Sequence, residues 1–338
     1  MATQLETIDI RLPAPPDLPG YTWRPIRRED VPAMYQMLLA VEKADDWHIV
    51  NTLEDAVREF DDPWSDAETD SWMVMAPDGR VAAFARTFLN PQAEEENRCF
   101  LWIEIHPDHR GDGLDDFMLG WAKARARQRL GAVRNDLPRV IRTGTQDTLV
   151  DRIALLERRG FQPVRYFYRM RRDLREPIPE KPLPDGLALR TCTPDLSEPV
   201  LAALNEAFRD HWGFESISEE DWQRFFIARS SFRPDLTFIA MDGDQVAGVS
   251  FNTVSPEENA RHGINEGWIA ELAVRRPWRK RGVATALLCE SMRAFKAEGL
   301  EYATLGVDTE NLSGALRLYE RVGFRVVKRF IQFTKPIG

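Results

Sequence analysis

Several things are scarce in this chain, and each scarcity excludes something. Cysteine occurs three times in 338 residues, as Cys99, Cys192 and Cys289, far apart and odd in number. No disulfide framework or metal-ligand spacing is visible, so reduced thiols and a cytoplasmic location are expected. Cys289 falls within an apolar helical pattern and reads as a small core residue. Histidine is nearly as sparse: His48, His106, His109, His211 and His262 form no ligand pair on a helix, so no metal is expected. No uninterrupted apolar run approaches membrane-spanning length. The N-terminus lacks a basic segment followed by an apolar one, so no signal peptide is expected. Excess positive charge is missing too: 45 Lys and Arg stand against 54 Asp and Glu, a net charge of −9. Non-specific nucleic-acid binding needs a broad basic surface and is excluded. What remains, 43% hydrophobic and 29% charged residues, is a globular composition long enough for two domains, each with its own core.

One segment reads as a spacer. In 173-DLREPIPEKPLPDGL-187 four prolines, Pro177, Pro179, Pro182 and Pro184, rule out a continuous helix or central strand and favour an extended, semi-rigid chain. The stretches on either side look like copies of one another. The segment 155-LLERRGFQPV-164 matches 318-LYERVGFRVV-327 with glycine and phenylalanine in register. Likewise 107-PDHRGDGLDDFML-119 matches 276-RPWRKRGVATALL-288, with Arg110 and Gly113 at the places of Arg279 and Gly282. The expected organisation is an N-terminal tail over 1–20, a first domain over 21–172, a linker over 173–186 and a second domain over 187–338. Internal duplication can take the place of a homodimer contact, which makes a monomer the simplest expectation.

In the second copy, patterning predicts a helix over 194–211 and another beginning near Ser218, with Asp221 completing a capping box. Segments 236-LTFIAM-241 and 245-QVAGVSF-251 alternate about the turn Asp242-Gly243-Asp244, a hairpin signal. A strand over 267–275 leads into a helix from Gly282, on which Ala284, Leu287, Leu288, Ser291, Met292 and Phe295 share one face. A strand over 302–307, a helix over 311–322 and a final strand pair from Phe324 to Lys335 complete the copy. The fold class is mixed α/β (α+β): in each copy a mostly antiparallel sheet with helices on both faces, containing one parallel strand–helix–strand unit.

An acidic protein concentrates three cations, Arg279, Lys280 and Arg281, where a strand turns into a helix. Unpaired N–H groups and partial positive charge at a helix start can converge on a phosphate, and Gly282 permits close approach. A solvated basic turn, with its glycine serving only tightness, fits those residues equally well. Context decides: 272-LAV-274, 279-RKRGVA-284, 306-GVDTEN-311 and 318-LYERVGF-324 together resemble the acetyl-CoA-binding half of the GNAT N-acetyltransferase superfamily. The resemblance spans most of 187–338 and is eroded over 21–172. It implies that Arg279, Lys280, Arg281, Gly282, Val283, Ala284 and Thr285 hold the coenzyme A pyrophosphate. It further implies that the backbone of Leu272, Ala273 and Val274 holds the pantetheine arm and thioester. Asn311 would cap the next helix near the same arm, and Tyr319 would protonate the departing thiolate. A carboxylate on the strand would relieve the amine of its proton, with Glu271 the first candidate, Glu266 the second and a bound water the third. Glu271→Gln is expected to lower the rate mainly at low pH. His211 to Glu215 would line the acceptor side.

The first copy keeps Arg110 and Gly113 but departs at several of the other positions. Asp112 stands at the place of Arg281, Asp115 at that of Ala284, Leu156 at that of Tyr319 and Trp102 at that of Glu271. Two carboxylates would repel a pyrophosphate, so this copy is expected to be structural. The expected activity is acetyl transfer from acetyl-CoA to an amine of a small molecule or peptide by direct attack, with no metal, membrane or nucleic acid. Tandem copies with a working C-terminal half also resemble the mycothiol synthases, which acetylate the cysteinyl amine of a pseudo-disaccharide thiol precursor. The rival expectation is a non-catalytic acyl-CoA-binding or interaction module.

Overall fold

A computed structural model describes residues 10–47, 52–90, 93–311 and 314–337. His48 lies outside the described residues. The first copy runs β1 (Thr22–Arg24), α1 (Val31–Asp45), α2 (Leu53–Phe60), β2 (Ser71–Met75), β3 (Val81–Leu89), β4 (Asn97–Ile105), α3 (Leu114–Ala132), β5 (Arg139–Gln146), α4 (Val150–Arg158) and β6 (Gln162–Asp173). The second runs β7 (Ala188–Thr191), α5 (Ser197–Phe208), α6 (Glu219–Trp222), β8 (Phe238–Asp242), β9 (Gln245–Thr253), α7 (Pro256–His262), β10 (Glu266–Val274), α8 (Val283–Ala297), β11 (Tyr302–Asp308), α9 (Ala315–Arg321) and β12 (Arg325–Ile337). Among the described residues no helix is long and apolar enough to cross a membrane.

Two compact units result, and they do not divide at the proline-rich segment. One comprises Met1–Val164 with Ile331–Gly338, the other Arg165–Phe330. The division falls inside the two longest strands, because each copy's last strand is used by both units. In the first unit Phe333 is buried in the core with Ile331 and Ile337 against it, and the Gln332 side chain donates to the Thr143 carbonyl at 2.9 Å. In the second, β6 pairs antiparallel with β11 from Tyr302↔Asp173 to Asp308↔Phe167. Nor is the proline-rich segment a free spacer. Leu183 and Leu187 pack on a cluster containing Trp278, Val283 and Leu287, Ile178 packs on that of Leu288 and Met292, and Arg293 donates to the Pro179 carbonyl. Residues β12 occupies were expected as a strand pair, but they form one continuous strand.

Each unit has a mostly antiparallel sheet with one parallel pair, β4 with β5 and β10 with β11. In the second unit α5 and α6 cover one face, with Val200, Leu204, Trp222, Val249 and Phe251 buried between. Helix α8 covers the other, where Leu287, Leu288, Ser291, Met292 and Phe295 are buried as their spacing requires, while Ala284 stays half-exposed at the helix mouth. Cys289 is wholly buried in that face. Ser218 caps α6, its hydroxyl accepting from the Asp221 amide at 3.1 Å. The predicted helix over 194–211 is shorter because Pro194–Leu196 form a 3-10 turn before α5.

The helix-to-sheet approach is close at Gly267 on β10, where a Cβ would come within 2.8 Å of the Phe295 ring. Gly267→Ala should therefore cost about 1–3 kcal/mol through overpacking. Urea unfolding should show a lower midpoint at unchanged slope.

Candidate active site

Parallel pairing of β10 with β11 stops early. It runs from Glu266↔Tyr302 to Ile269↔Leu305, after which β11 stays on β6 while β10 stays on β9. The register of β10 on β9 also shifts between Ile269 and Glu271, a bulge that leaves Ala270 unpaired and exposed. From Glu271 to Val274, then, one edge of β10 faces an opening rather than a strand. Side chains on the two sides close the surroundings: Leu272 packs toward α8 and Ala273 toward α5. An extended thioester arm fits such an edge, because only backbone groups are presented along it.

The strand ends at the cationic turn. Gly282 caps α8 at φ +93°, in the left-handed region. Lys280 is left-handed as well, at φ +60°, where the first copy has Gly111 at φ +90°. A non-glycine residue there is strained, by roughly 1–3 kcal/mol. Lys280 and Arg281 are exposed and have no ion-pair partner among the described residues. Arg279 is different. Its guanidinium donates to the carbonyls of Val274 at 3.0 Å and Ala207 at 2.8 Å, and it lies 3.4 Å from Asp210. Asp210 also receives Arg276 at 2.5 Å. Arg279 thus fastens the strand end and the turn to the end of α5, while the neighbouring two cations supply free charge. Val283 is buried below the turn, with Ala284 and Thr285 half-exposed.

Two titratable groups lie close enough to interact, Glu271 at the start of the unpaired edge and Tyr319 within the core cluster of Met170, Leu305 and Phe324. Glu271 is largely covered, and burial pushes its carboxyl up to about 7. Tyr319 on α9 is buried, its ring 6.0 Å from that of Phe324. Burial raises its phenol, and the Glu271 charge raises it further, so it keeps its proton at neutral pH. Glu266 is otherwise engaged: at 2% exposure it pairs with Arg171 at 2.7 Å and accepts from Thr304 and from the Trp268 ring N–H. Most of the acceptor capacity of Glu266 is thus taken up inside the sheet, whereas Glu271 stands at the unpaired edge. Asn311 does not cap α9, whose cap is Gly314; its side chain lies 3.5 Å from Nε2 of His211. His211 is half-buried with its ring on Phe208 at 4.5 Å, and burial, then Arg279, lowers its pKa. Trp212 lies under the Arg165 guanidinium at 5.4 Å.

Asp210 escaped the sequence reading although a signal was present: 45-DDW-47 and 210-DHW-212 occupy matching places in the two copies. In the first unit Arg110 is held by Asp45 through two bonds of 2.7 and 2.8 Å. Arg165, on β6, could not be found because it comes from the other copy.

The model of the acetyltransferase (GNAT) family matches residues 35–161 and again 198–324. This chain belongs to the GNAT family. Its relatives include the mycothiol acetyltransferase of Acidothermus cellulolyticus, 32% identical over 232 residues, which are 66% of this chain and 67% of that protein. That of Frankia casuarinae is 28% identical over 280 residues, 79% and 75% of the two chains. Among solved structures, a GCN5-related N-acetyltransferase from Sphaerobacter thermophilus is 26% identical with a TM-score of 0.74, over 96% of this chain and 97% of that one. A tandem GNAT protein from the clavulanic acid biosynthesis pathway shares the fold, at a TM-score of 0.68 and 17% identity over 94% and 99%. The GNAT chain described here is an acyltransferase, and the family's co-substrates are an acyl-CoA and an amine. Its described residues contain no His, Cys, Asp and Glu group able to hold a metal ion.

The strained lysine separates backbone from charge. Lys280→Gly keeps the turn's conformation, as Gly111 does in the first copy, and relieves its strain, so the melting temperature should stay level or rise by up to about 6 °C. Acyl-CoA affinity should fall roughly 3- to 10-fold at low salt, with the difference shrinking as salt is added. Calorimetric titration at two ionic strengths checks both.

Proposed function

We propose that the second unit carries acetyl transfer from acetyl-CoA to an amine of a small molecule or peptide, by direct attack. The observation that supports this most is a pairing confined to the second copy: a carboxyl raised to about 7 stands at the start of the unpaired edge of β10, close enough to a protonated phenol to raise it further. The exposed edge Leu272–Val274 would take the pantetheine arm. The amides from Lys280 to Thr285, with the side chains of Lys280 and Arg281, would take the pyrophosphate. Arg279 would act by holding that turn in place. Asn311, beside His211, would border the arm and the acceptor entrance.

The chemistry follows in order. Glu271, ionised, takes a proton from the acceptor ammonium, and the free amine attacks the thioester carbon. The tetrahedral intermediate collapses with cleavage of the carbon–sulfur bond. The leaving thiolate takes its proton from Tyr319, the nitrogen's second proton passes to the phenolate so formed, and Glu271 releases its proton to solvent, which leaves the acetylated amide and both residues as they began. Water could relay the first transfer without altering this balance. A carboxyl near 7 provides its base form above that pH, so the rate should rise as pH passes through neutrality. The expected loss in Glu271→Gln therefore shifts from low pH to neutral and alkaline pH, because below about pH 6 the wild-type carboxyl is itself protonated.

The 28–32% identity to mycothiol acetyltransferases favours one acceptor class within this reading, a cysteinyl amine on a sugar-containing thiol. Mass spectrometry of products from an amine panel, including such a conjugate, tests both levels. No acetylated product from any amine would sink the proposal; product from other amines but not the cysteinyl conjugate would remove only the finer reading. For the residues, Tyr319→Phe and Glu271→Gln should each lower kcat about 10²- to 10⁴-fold at pH 8, leaving acetyl-CoA affinity within about threefold. Glu271→Gln should also flatten the pH–rate limb near 7. A limb that persists in that variant assigns the base elsewhere.

A further inference from the structure

The first unit has an opening of the same kind. Pairing of β4 with β5 runs only from Asn97↔Arg139 to Phe100↔Arg142, and Leu101 to Ile105 continue on β3 alone. Here, however, side chains cross it. Arg152, in the first turn of α4 just beyond β5, reaches Glu104 on β4 at 3.2 Å. Glu104 is 3% exposed, and the same guanidinium lies over the Trp47 ring at 5.5 Å. Gln146, at the end of β5, donates to the Asp45 carbonyl at the end of α1, 3.1 Å away. Because β5 and α4 stand on one side of the opening and β4 and α1 on the other, both contacts bridge it; the Gln146 contact has a counterpart in the second unit, Asn311 beside His211 at 3.5 Å, so the Glu104–Arg152 pair is what distinguishes the first. By register and by the repeat, the second unit's residues at the places of Glu104 and Arg152 are Ala273 and Ala315, which cannot bridge anything.

We propose that the Glu104–Arg152 pair is an internal plug that closes a second acyl-CoA cleft in the first unit, leaving the chain with a single working cleft. This rests on the reading of the second unit's opening as an acyl-CoA site. A thioester arm entering between β4 and β5 would have to break a buried ion pair and strand its carboxylate, an effect of about 10²- to 10³-fold in affinity. The flanking turn adds to the exclusion. Asp112 is exposed where the second copy has Arg281, and Asp115, partly buried in the first turn of α3, stands where it has Ala284. Trp102 fills the position of Glu271, packed edge-on against Phe84 at 5.0 Å, and Leu156 is buried in place of Tyr319. An opened first cleft would therefore bind without catalysing.

The test counts sites on the full chain by calorimetric titration with acetyl-CoA. Wild type should bind one equivalent. The variant D112R/D115A, which removes the repulsion but keeps the plug, should also bind one. The variant E104A/R152A/D112R/D115A, which carries the second copy's residue at all four positions, should gain a second, weaker site without gaining activity. Two sites in wild type, or a second site in D112R/D115A, overturns the plug. So does a folded fourfold variant with no added site. The gain is counted relative to wild type, so a wild type that binds none would refute the reading of the second unit while still testing the plug. If the fourfold variant does not fold, hydrogen exchange of wild type with and without acetyl-CoA decides. Protection should appear in β10 and residues 279–285 and not in β4 or residues 110–116; protection in both overturns the proposal.

Discussion

Everything at the site depends on where one ladder of hydrogen bonds stops. After Ile269↔Leu305 the strands β10 and β11 separate, each held by a different neighbour. A sheet interior has no free backbone groups to offer a ligand, and a sheet edge invites aggregation. A separation within the sheet avoids both: it exposes a short run of backbone, flanked by protein on either side. The bulge at Ala270 accompanies it, re-aiming Glu271 just where the opening begins. Desolvation at that spot shifts the carboxyl upward, and the same covered environment holds Tyr319 protonated.

The second constraint is mechanical. A turn bearing three cations and a left-handed lysine would not hold its shape on propensity alone. Arg279 is removed from the pool of free charge to fix it, bonding to the strand end, to α5 and to Asp210. The first unit keeps this fastening in Arg110 and Asp45, although its turn carries carboxylates. Retention of the fastening alongside loss of the charges separates two things that the turn of the second copy combines: a held helix terminus, and a cluster of free cations beside it.

The two copies then illustrate how little is needed to change an opening into a core. In the first, an acid and a base face each other as a bonded pair, Glu104 with Arg152, whereas the second has alanines. Buried pairs of this kind contribute little net stability, because desolvation offsets attraction. They are costly to break, which suits them to closing a gap rather than to strengthening a fold.

Local patterns were legible from the sequence alone. Helical spacing marked the buried face of α8, alternation about Gly243 marked the β8–β9 hairpin, and the repeated Glu-Arg-x-Gly-Phe segment exposed the duplication. The sign of charge at the two turns was also plain, since it needs no partner to be seen. Tertiary structure alone decided the rest: that β6 serves the second unit, that Glu266 is spent on Arg171 across 95 residues, and that Arg279 reaches the Ala207 carbonyl across 72. It likewise set Asn311 beside His211, 100 residues away, instead of at the start of α9. Periodicity and turn chemistry act over a few residues and are written in any short window. Ion pairs, strand exchange and the end of a ladder join distant residues, and only the folded chain brings those together.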